Sequence, residues 1–140
     1  MYQREHVLSA LFQGVLNNRA SSIMRSMETN FRPLHANEIA LLSRLLDHDF
    51  QGRDALRLQL SSVTGRQTDE HGCLELRTEE ATEADTEIGS PTEGRCQDID
   101  GGAIVVMLHV RNGKLHLLEI LKEDGSAILR APRAEDLTVY

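Results

Sequence analysis

Aromatic residues are scarce in this sequence, at 4% of 140 residues, and tryptophan is absent. Hydrophobic residues reach 40%, which is enough to fill a core, so that core must be aliphatic. Pockets that stack nucleobases or flat cofactors depend on aromatic side chains, which this chain has too few to supply. We therefore predict that the protein carries no cofactor.

Cysteine is equally scarce, with two residues in the whole chain. Cys73 and Cys96 lie 23 residues apart, neither belongs to a CxxC pair, and no zinc pattern can be assembled from them. We interpret both as reduced thiols of a cytoplasmic protein, with a single disulfide as the alternative.

Long hydrophobic runs are missing too, since none approaches the ~20 residues that span a bilayer. Residues 6–16, HVLSALFQGVL, have the length of a signal-peptide core, but Glu5 precedes them and Gln13 interrupts them. We therefore predict a cytoplasmic protein that does not contact membranes.

The net charge of −7 is concentrated in one segment. Residues 79–100 contain eight acids against Arg95 alone, which leaves the rest of the chain neutral in sum. The acids are Glu79, Glu80, Glu83, Asp85, Glu87, Glu93, Asp98 and Asp100. Nucleic acid is a poor partner for such a chain, because phosphate groups bind clustered Lys and Arg. A protein with a basic surface is the better expectation.

The first part of the chain has the three-to-four-residue spacing of amphipathic helices. The pattern predicts helices over residues 4–27, 35–50 and 53–60. Pro33 disrupts helical geometry, so we divide the chain into an N-terminal helical extension, residues 1–31, and a single α+β domain, residues 32–140. Met27 offers an alternative translation start, in which case the residues before it are an addition.

After residue 60 the hydrophobic spacing changes to two, which is typical of strands. The predicted strands are residues 61–67, 73–78, 103–110, 114–121 and 127–131. Residues 79–102, rich in acids and glycine, predict a long acidic loop. The fold class is therefore α+β, with two or three N-terminal helices packed on a four- to five-stranded antiparallel meander.

The pair Asn112-Gly113 predicts a two-residue type I′ turn between two strands. In an unbroken register from that turn His109 faces His116, with Cβ atoms about 4.5–5.5 Å apart. Both faces of the strand pair are then largely apolar. We expect the helices to cover one face, and the N-terminal helix or a second subunit of a homodimer to cover the other.

The facing imidazoles have three interpretations: structural histidines, a metal site, or a proton-sensitive patch. A metal ion needs at least a third ligand, which the spacing does not place, so we predict no metal. Double protonation of the pair is unfavourable, so mild acid would loosen this end of the sheet. Residues 98–102, DIDGG, resemble the start of a calcium loop but lack its remaining ligands, and they predict a turn.

Glu119 faces Val106 in the same register, on the more apolar side of the strand pair. A carboxylate there has a raised pKa unless basic groups or backbone donors meet it. One interpretation is a general acid or base, and the other is a structural Glu bonded to Arg66 or to a helix terminus. We favour the structural interpretation, because the sequence places no nucleophile or second acid beside Glu119.

Two long segments together resemble a family of small bacterial domains of unknown function. They are RPLHANEIALLSRLL (32–46) and IVVMLHVRNGKLHLLEILKEDGSAI (104–128), and the resemblance covers about residues 32–131. Some such domains look like immunity proteins that neighbour secreted bacterial toxins. The shared motifs are turns and core positions, so the resemblance implies a fold and supplies no catalytic residues. His116 stands where that family usually has a small polar residue.

The sequence therefore favours a non-enzymatic protein-binding domain of immunity or antitoxin type. The predicted contact residues are Glu79, Glu80, Glu83, Asp85 and Glu87. Two alternatives stay open. One is a small enzyme that uses Glu119 with His109 or His116, and the other is a dimeric scaffold without chemistry.

Overall fold

The computed structural model describes residues 27–79, 81–86 and 89–140. These residues form two α-helices and seven strands, in the α+β class that the sequence predicts. The helices are α1, Ala36–Leu45, and α2, Arg53–Gln59. The strands are β1 (Arg32–Pro33), β2 (Thr64–Gln67), β3 (Leu74–Arg77), β4 (Thr92–Gln97), β5 (Ala103–Arg111), β6 (Lys114–Lys122) and β7 (Thr138–Val139).

All seven strands belong to one antiparallel sheet in the order β1-β2-β3-β6-β5-β4-β7. The hairpin of β5 and β6, with nine residues in each strand, lies at the centre. The two edge strands have two residues each. Pro33 in β1 has no N–H to offer to a further strand.

The structure corrects the predicted strand count of four to five and the predicted loop over residues 79–102. Strand β4 lies inside that range, and residues 127–131 form no strand. The sequence did not predict β4, because this strand contains glycine and charged residues and because the side chains that point into the core are small. A Cβ on Gly94 would lie 3.2 Å from Leu137 and 3.3 Å from Leu45, so a larger residue does not fit there.

The two helices cover one face of the sheet and enclose the aliphatic core. The fully buried core side chains are Leu42, Leu45, Leu46, Leu56, Leu74, Ile104, Val106, Leu108 and Leu118. The predicted helix over residues 4–27 lies outside the described residues, and β1 precedes α1. The description of the helices as N-terminal therefore holds only in part.

Arg32 and Glu38 fix the entry to α1. The Arg32 guanidinium donates to both carboxylate oxygens of Glu38, at 2.7 and 3.0 Å. Glu38 also accepts the backbone N–H of His35 at 2.7 Å, which satisfies a donor at the helix start. The Arg-Pro-Leu motif of the sequence is thus a structural feature of the helix entry.

The Asn112-Gly113 turn forms as predicted, with positive φ angles of 52° and 73°. The outer sheet face, opposite the helices, carries Val105 and Leu117, which are only 5% and 4% exposed. The proposed cover by residues 4–27 lies outside the described residues, and cover by a second subunit stays a prediction. Within the described residues no helix has the length and apolar character to cross a bilayer.

Candidate functional site

A β-bulge in the central hairpin changes which side chains meet. Val110 pairs with Leu115 as predicted, but His109 pairs with Leu117 rather than His116. His116 is the extra residue, so every residue of β6 beyond it lies on the face opposite to the predicted one. The register prediction is therefore wrong beyond Leu115.

The bulge places Glu119 on the outer face, opposite Met107 rather than Val106. There its carboxylate lies 2.8 Å from Nε2 of His109. The expected partner, Arg66, instead contacts Glu75 at 2.6 Å. The same shift sends Leu118 and Ile120 into the core, so it removes the isolated carboxylate that the unbroken register implied.

Ser90 extends this pair into a chain of three side chains. Its hydroxyl lies 2.7 Å from Nδ1 of His109, and the backbone carbonyl of the preceding Gly89 accepts the Val110 N–H at 2.6 Å. An ionised carboxylate only accepts, so His109 donates from Nε2 to Glu119, and in the neutral ring Nδ1 is then the acceptor for the Ser90 hydroxyl. The order of serine, histidine and acid is that of a nucleophile, its base and the group that orients the base.

Among the described residues, His116 makes no hydrogen bond to this chain of side chains. Burial, and then the nearby Arg111 guanidinium, lower the pKa of His116. Its ring is therefore neutral at pH 7. In the described part of the chain, no three His, Cys, Asp or Glu side chains are arranged to hold a metal ion. Residues 98–102 form the turn that the sequence predicts, closed by the Asp98 N–H donating to the Gly102 carbonyl at 2.8 Å.

In the structure β4 shortens the acidic loop to residues 79–91, and its residues 82–85 pack against the hairpin turn. Ala84 is buried, and its backbone N–H donates to the Gly113 carbonyl at 2.8 Å. The buried amide of Gln59 donates to the carbonyls of Thr82 and Gly113, both at 2.9 Å, and accepts the Leu115 N–H at 3.0 Å. Residues 82–85 are thus held against α2 and the turn.

The carboxylates of the acidic loop remain directed to solvent. Glu79, Glu83 and Asp85 are exposed, and Asp85 accepts one hydrogen bond from Gln51 at 3.2 Å. Neither Glu79 nor Glu83 has a basic partner among the residues described. Glu80 and Glu87 lie outside the described residues. The three acids beyond the loop differ, because each has a basic partner: Glu93 contacts Arg95, and Asp98 and Asp100 share Lys122.

Comparison with known proteins identifies a family and no characterised relative. A family model described as a domain of unknown function, DUF6984, matches residues 31–132. The matched range includes both helices, strands β1 to β6 and the acidic loop. No curated protein and no solved structure matches the chain.

Proposed function

We propose that this chain, which belongs to the DUF6984 family of domains of unknown function, is a protein-binding domain that docks its acidic loop on a basic partner. The observation that carries the proposal is the combination of a fixed backbone with unpaired charge. Residues 82–85 are bonded to α2 and the hairpin turn, while Glu79, Glu83 and Asp85 point to solvent.

A fixed backbone at residues 82–85 favours binding because little conformational entropy remains there to be lost when the partner docks. Clustered carboxylates of one sign also attract a basic surface over several ångströms and accelerate its approach. An acidic loop that served only as a solvated linker would not need Ala84 and Gln59 buried beneath it. The partner that fits is a protein with a cluster of exposed Lys and Arg.

The finer proposal is an immunity or antitoxin role. The acidity of the loop supports it, since docking on a cationic toxin requires the opposite charge, and some of the small bacterial domains that residues 32–131 resemble look like immunity proteins. In that role the protein acts in the cytoplasm and needs no catalytic residue.

Association kinetics test the proposal with the product of the adjacent gene as the partner. The loop variant is Glu79→Gln with Glu83→Gln and Asp85→Asn. The control removes three exposed acids elsewhere, as Asp54→Asn, Glu70→Gln and Glu135→Gln. At low salt we expect the loop variant to associate about tenfold more slowly, or slower still, and the control to change little. Equal rates for the two variants would mean that the loop is not the docking surface.

The chain of Ser90, His109 and Glu119 favours a second candidate, an ester hydrolase. Ser90 Oγ would add to the ester carbonyl carbon as its proton passes to His109 Nδ1, with Glu119 stabilising the imidazolium. That proton then passes to the departing alcohol, and a water molecule repeats the sequence to release the acid. This function ranks second because Ser90, His109 and Glu119 line neither the cleft around Cys96 nor the cleft around Lys114.

A fluorophosphonate probe distinguishes this candidate, because it labels an activated serine covalently. Labelling of Ser90 that disappears in Ser90→Ala, and weakens in Glu119→Gln, would support the hydrolase. Ser61, an exposed serine bonded to a backbone carbonyl, serves as the internal control for non-specific labelling. An unlabelled Ser90 in the folded protein would eliminate this function.

A further inference from the structure

An open cleft of about 290 Å³ lies beside the hairpin turn, on the side where β3 ends. Its walls carry three basic side chains, Arg77, Arg111 and Lys114, against the single carboxylate of Glu83. His116 also lines it and is neutral at pH 7, because burial and Arg111 lower its pKa. The cleft therefore has a net positive charge within a protein whose net charge is −7.

The basic side chains of this cleft are available to a ligand. Arg111 and Lys114 have no acidic partner among the described residues. The guanidinium of Arg77 stacks on the Phe31 ring, 3.8 Å from its centre, which orients the group without neutralising it. Elsewhere in the described chain basic groups are paired, as Arg32 is with Glu38 and Lys122 is with Asp98.

Thr78 provides an independent sign of a missing ligand. It lines the cleft, it is only 5% exposed, and its hydroxyl has no hydrogen-bond partner. The other two buried threonines are satisfied: Thr92 donates to the Leu45 carbonyl at 3.0 Å, and Thr68 donates to the Cys73 carbonyl at 3.4 Å. Leaving a buried hydroxyl unpaired costs about 1–3 kcal/mol, so such groups normally have a partner.

We propose that this cleft binds the phosphate group of a small phosphorylated molecule. Guanidinium forks, an ammonium group and a hydroxyl donor together match the several acceptor oxygens of a phosphate better than a single carboxylate. The cleft volume lies near the lower end of ligand pockets, which suits a small molecule. The site shares Glu83 with the carboxylates proposed to dock a protein partner, whereas Glu79 and Asp85 do not line it.

Titration of the full-length protein with inorganic phosphate, followed by NMR at constant ionic strength, tests the site. We expect saturable shifts of the backbone amides of residues 76–78 and 111–116, with a dissociation constant on the order of 1 mM. Phenyl phosphate should bind in the same place, and acetate should bind much more weakly. Absence of saturable phosphate binding, or equal affinity for acetate, would overturn the proposal.

Two substitutions and a matched control assign the binding to these residues. Arg111→Gln should reduce phosphate affinity about tenfold, whereas Arg130→Gln, which removes the same charge from an arginine already paired with Asp136, should not. Thr78→Val should weaken phosphate binding several-fold without lowering the unfolding midpoint, because the hydroxyl makes no bond in the free protein. If all three variants bind phosphate equally, the anion does not occupy this cleft.

Glu83→Gln separates this inference from the proposed docking function. The substitution removes the negative charge at the rim, so phosphate affinity should rise, whereas association with a basic protein should slow. If the loop variant no longer associates with its protein partner but still binds phosphate, the result supports the cleft assignment and separates it from the docking function. Unchanged or weaker phosphate binding in Glu83→Gln would contradict it.

Discussion

Among single side chains, Lys122 and Asp98 show how this small domain accommodates buried charge. Neither side chain is exposed, and the ammonium lies 2.9 Å from Asp98 Oδ2 and 2.7 Å from Asp100 Oδ2. Asp98 also accepts the backbone N–H groups of Leu129 and Arg130, at 2.7 and 3.0 Å. The cluster joins three segments: the β4–β5 turn, the end of β6 and the residues that follow β6. Its directional hydrogen bonds fix how these segments align, which a hydrophobic pair would not do.

Asp98→Asn should therefore lower the free energy of unfolding at pH 7 and make that free energy less dependent on pH in the acidic range. Burial opposes ionisation, but the Leu129 N–H and the Lys122 ammonium outweigh it and hold the pKa of Asp98 well below its usual range. The unfolded chain takes up this proton below about pH 4 while the folded chain does not, so the stabilisation is present at neutral pH and is lost as the pH falls.

Urea unfolding at a series of pH values measures this effect. The wild type should lose stability between about pH 5 and pH 2.5 more steeply than Asp98→Asn. Asp54→Asn, at a carboxylate whose side chain is 88% exposed, should follow the wild-type slope. If the free energy of unfolding falls equally steeply with pH in the wild type and in Asp98→Asn, groups other than Asp98 cause the loss of stability in acid.

His116 shows what the sequence could reveal about the candidate site. The unbroken register placed Glu119 on the more apolar face of the strand pair, and that unfavourable placement was itself the signal of a bulge. The bulge at His116 shifts the register by one residue. Leu118 therefore points into the core, and Glu119 points to the outer face, where it contacts His109. Ser90 gave no such signal, because it comes from a loop 19 residues before His109 and only the tertiary fold brings it there.

Among the elements, the contact between the acidic loop and the hairpin turn depends on Gly113. Its φ is +73°, and a Cβ there would lie 2.6 Å from the Ala84 carbonyl oxygen and 2.8 Å from its nitrogen. Side-chain movement cannot relieve a clash between backbone atoms. The turn therefore needs glycine for two reasons, its conformation and the proximity of the loop.

Gly113→Ala should destabilise the protein by about 2 kcal/mol or more, and should release residues 82–85. Gly125→Ala is the matched control, since φ is +78° there but nothing lies within 4 Å of the added Cβ, so only about 1–2 kcal/mol of backbone strain is expected. Chemical denaturation gives both values, and hydrogen exchange of the Ala84 amide reports the loop. If both variants lose the same free energy of unfolding, the acidic loop moves away from the Cβ added at residue 113 at no energetic cost.

The elements with a strong local pattern were the predictable ones. The Asn-Gly turn, the central hairpin and the two described helices follow from spacing and turn chemistry. Strand β4 was missed because its inward residues, Thr92, Gly94 and Cys96, are too small to give a hydrophobic alternation. Strands β1 and β7 have two residues each, which is too short for any periodicity to identify them.

For the molecule as a whole, the hydrophobic spacing predicted the α+β fold class. An aliphatic chain with helical spacing followed by strand spacing can bury its apolar faces as helices on an antiparallel sheet. The basic cleft and the Ser90 chain have no such pattern, because each combines residues that are distant in sequence, whereas the acidic loop is one continuous segment that composition reveals. Both charged features meet at the hairpin-turn end of the sheet, where Glu83 belongs to each.

The two-residue outer strands have a consequence for how this protein behaves when it is crowded. A seven-stranded sheet with long free borders would recruit strands from other copies and grow into fibres. Here each border offers only a short stretch of backbone, and one of them includes a proline. The described sheet therefore offers few unpaired backbone groups at its two outermost strands, which disfavours strand-to-strand association between copies.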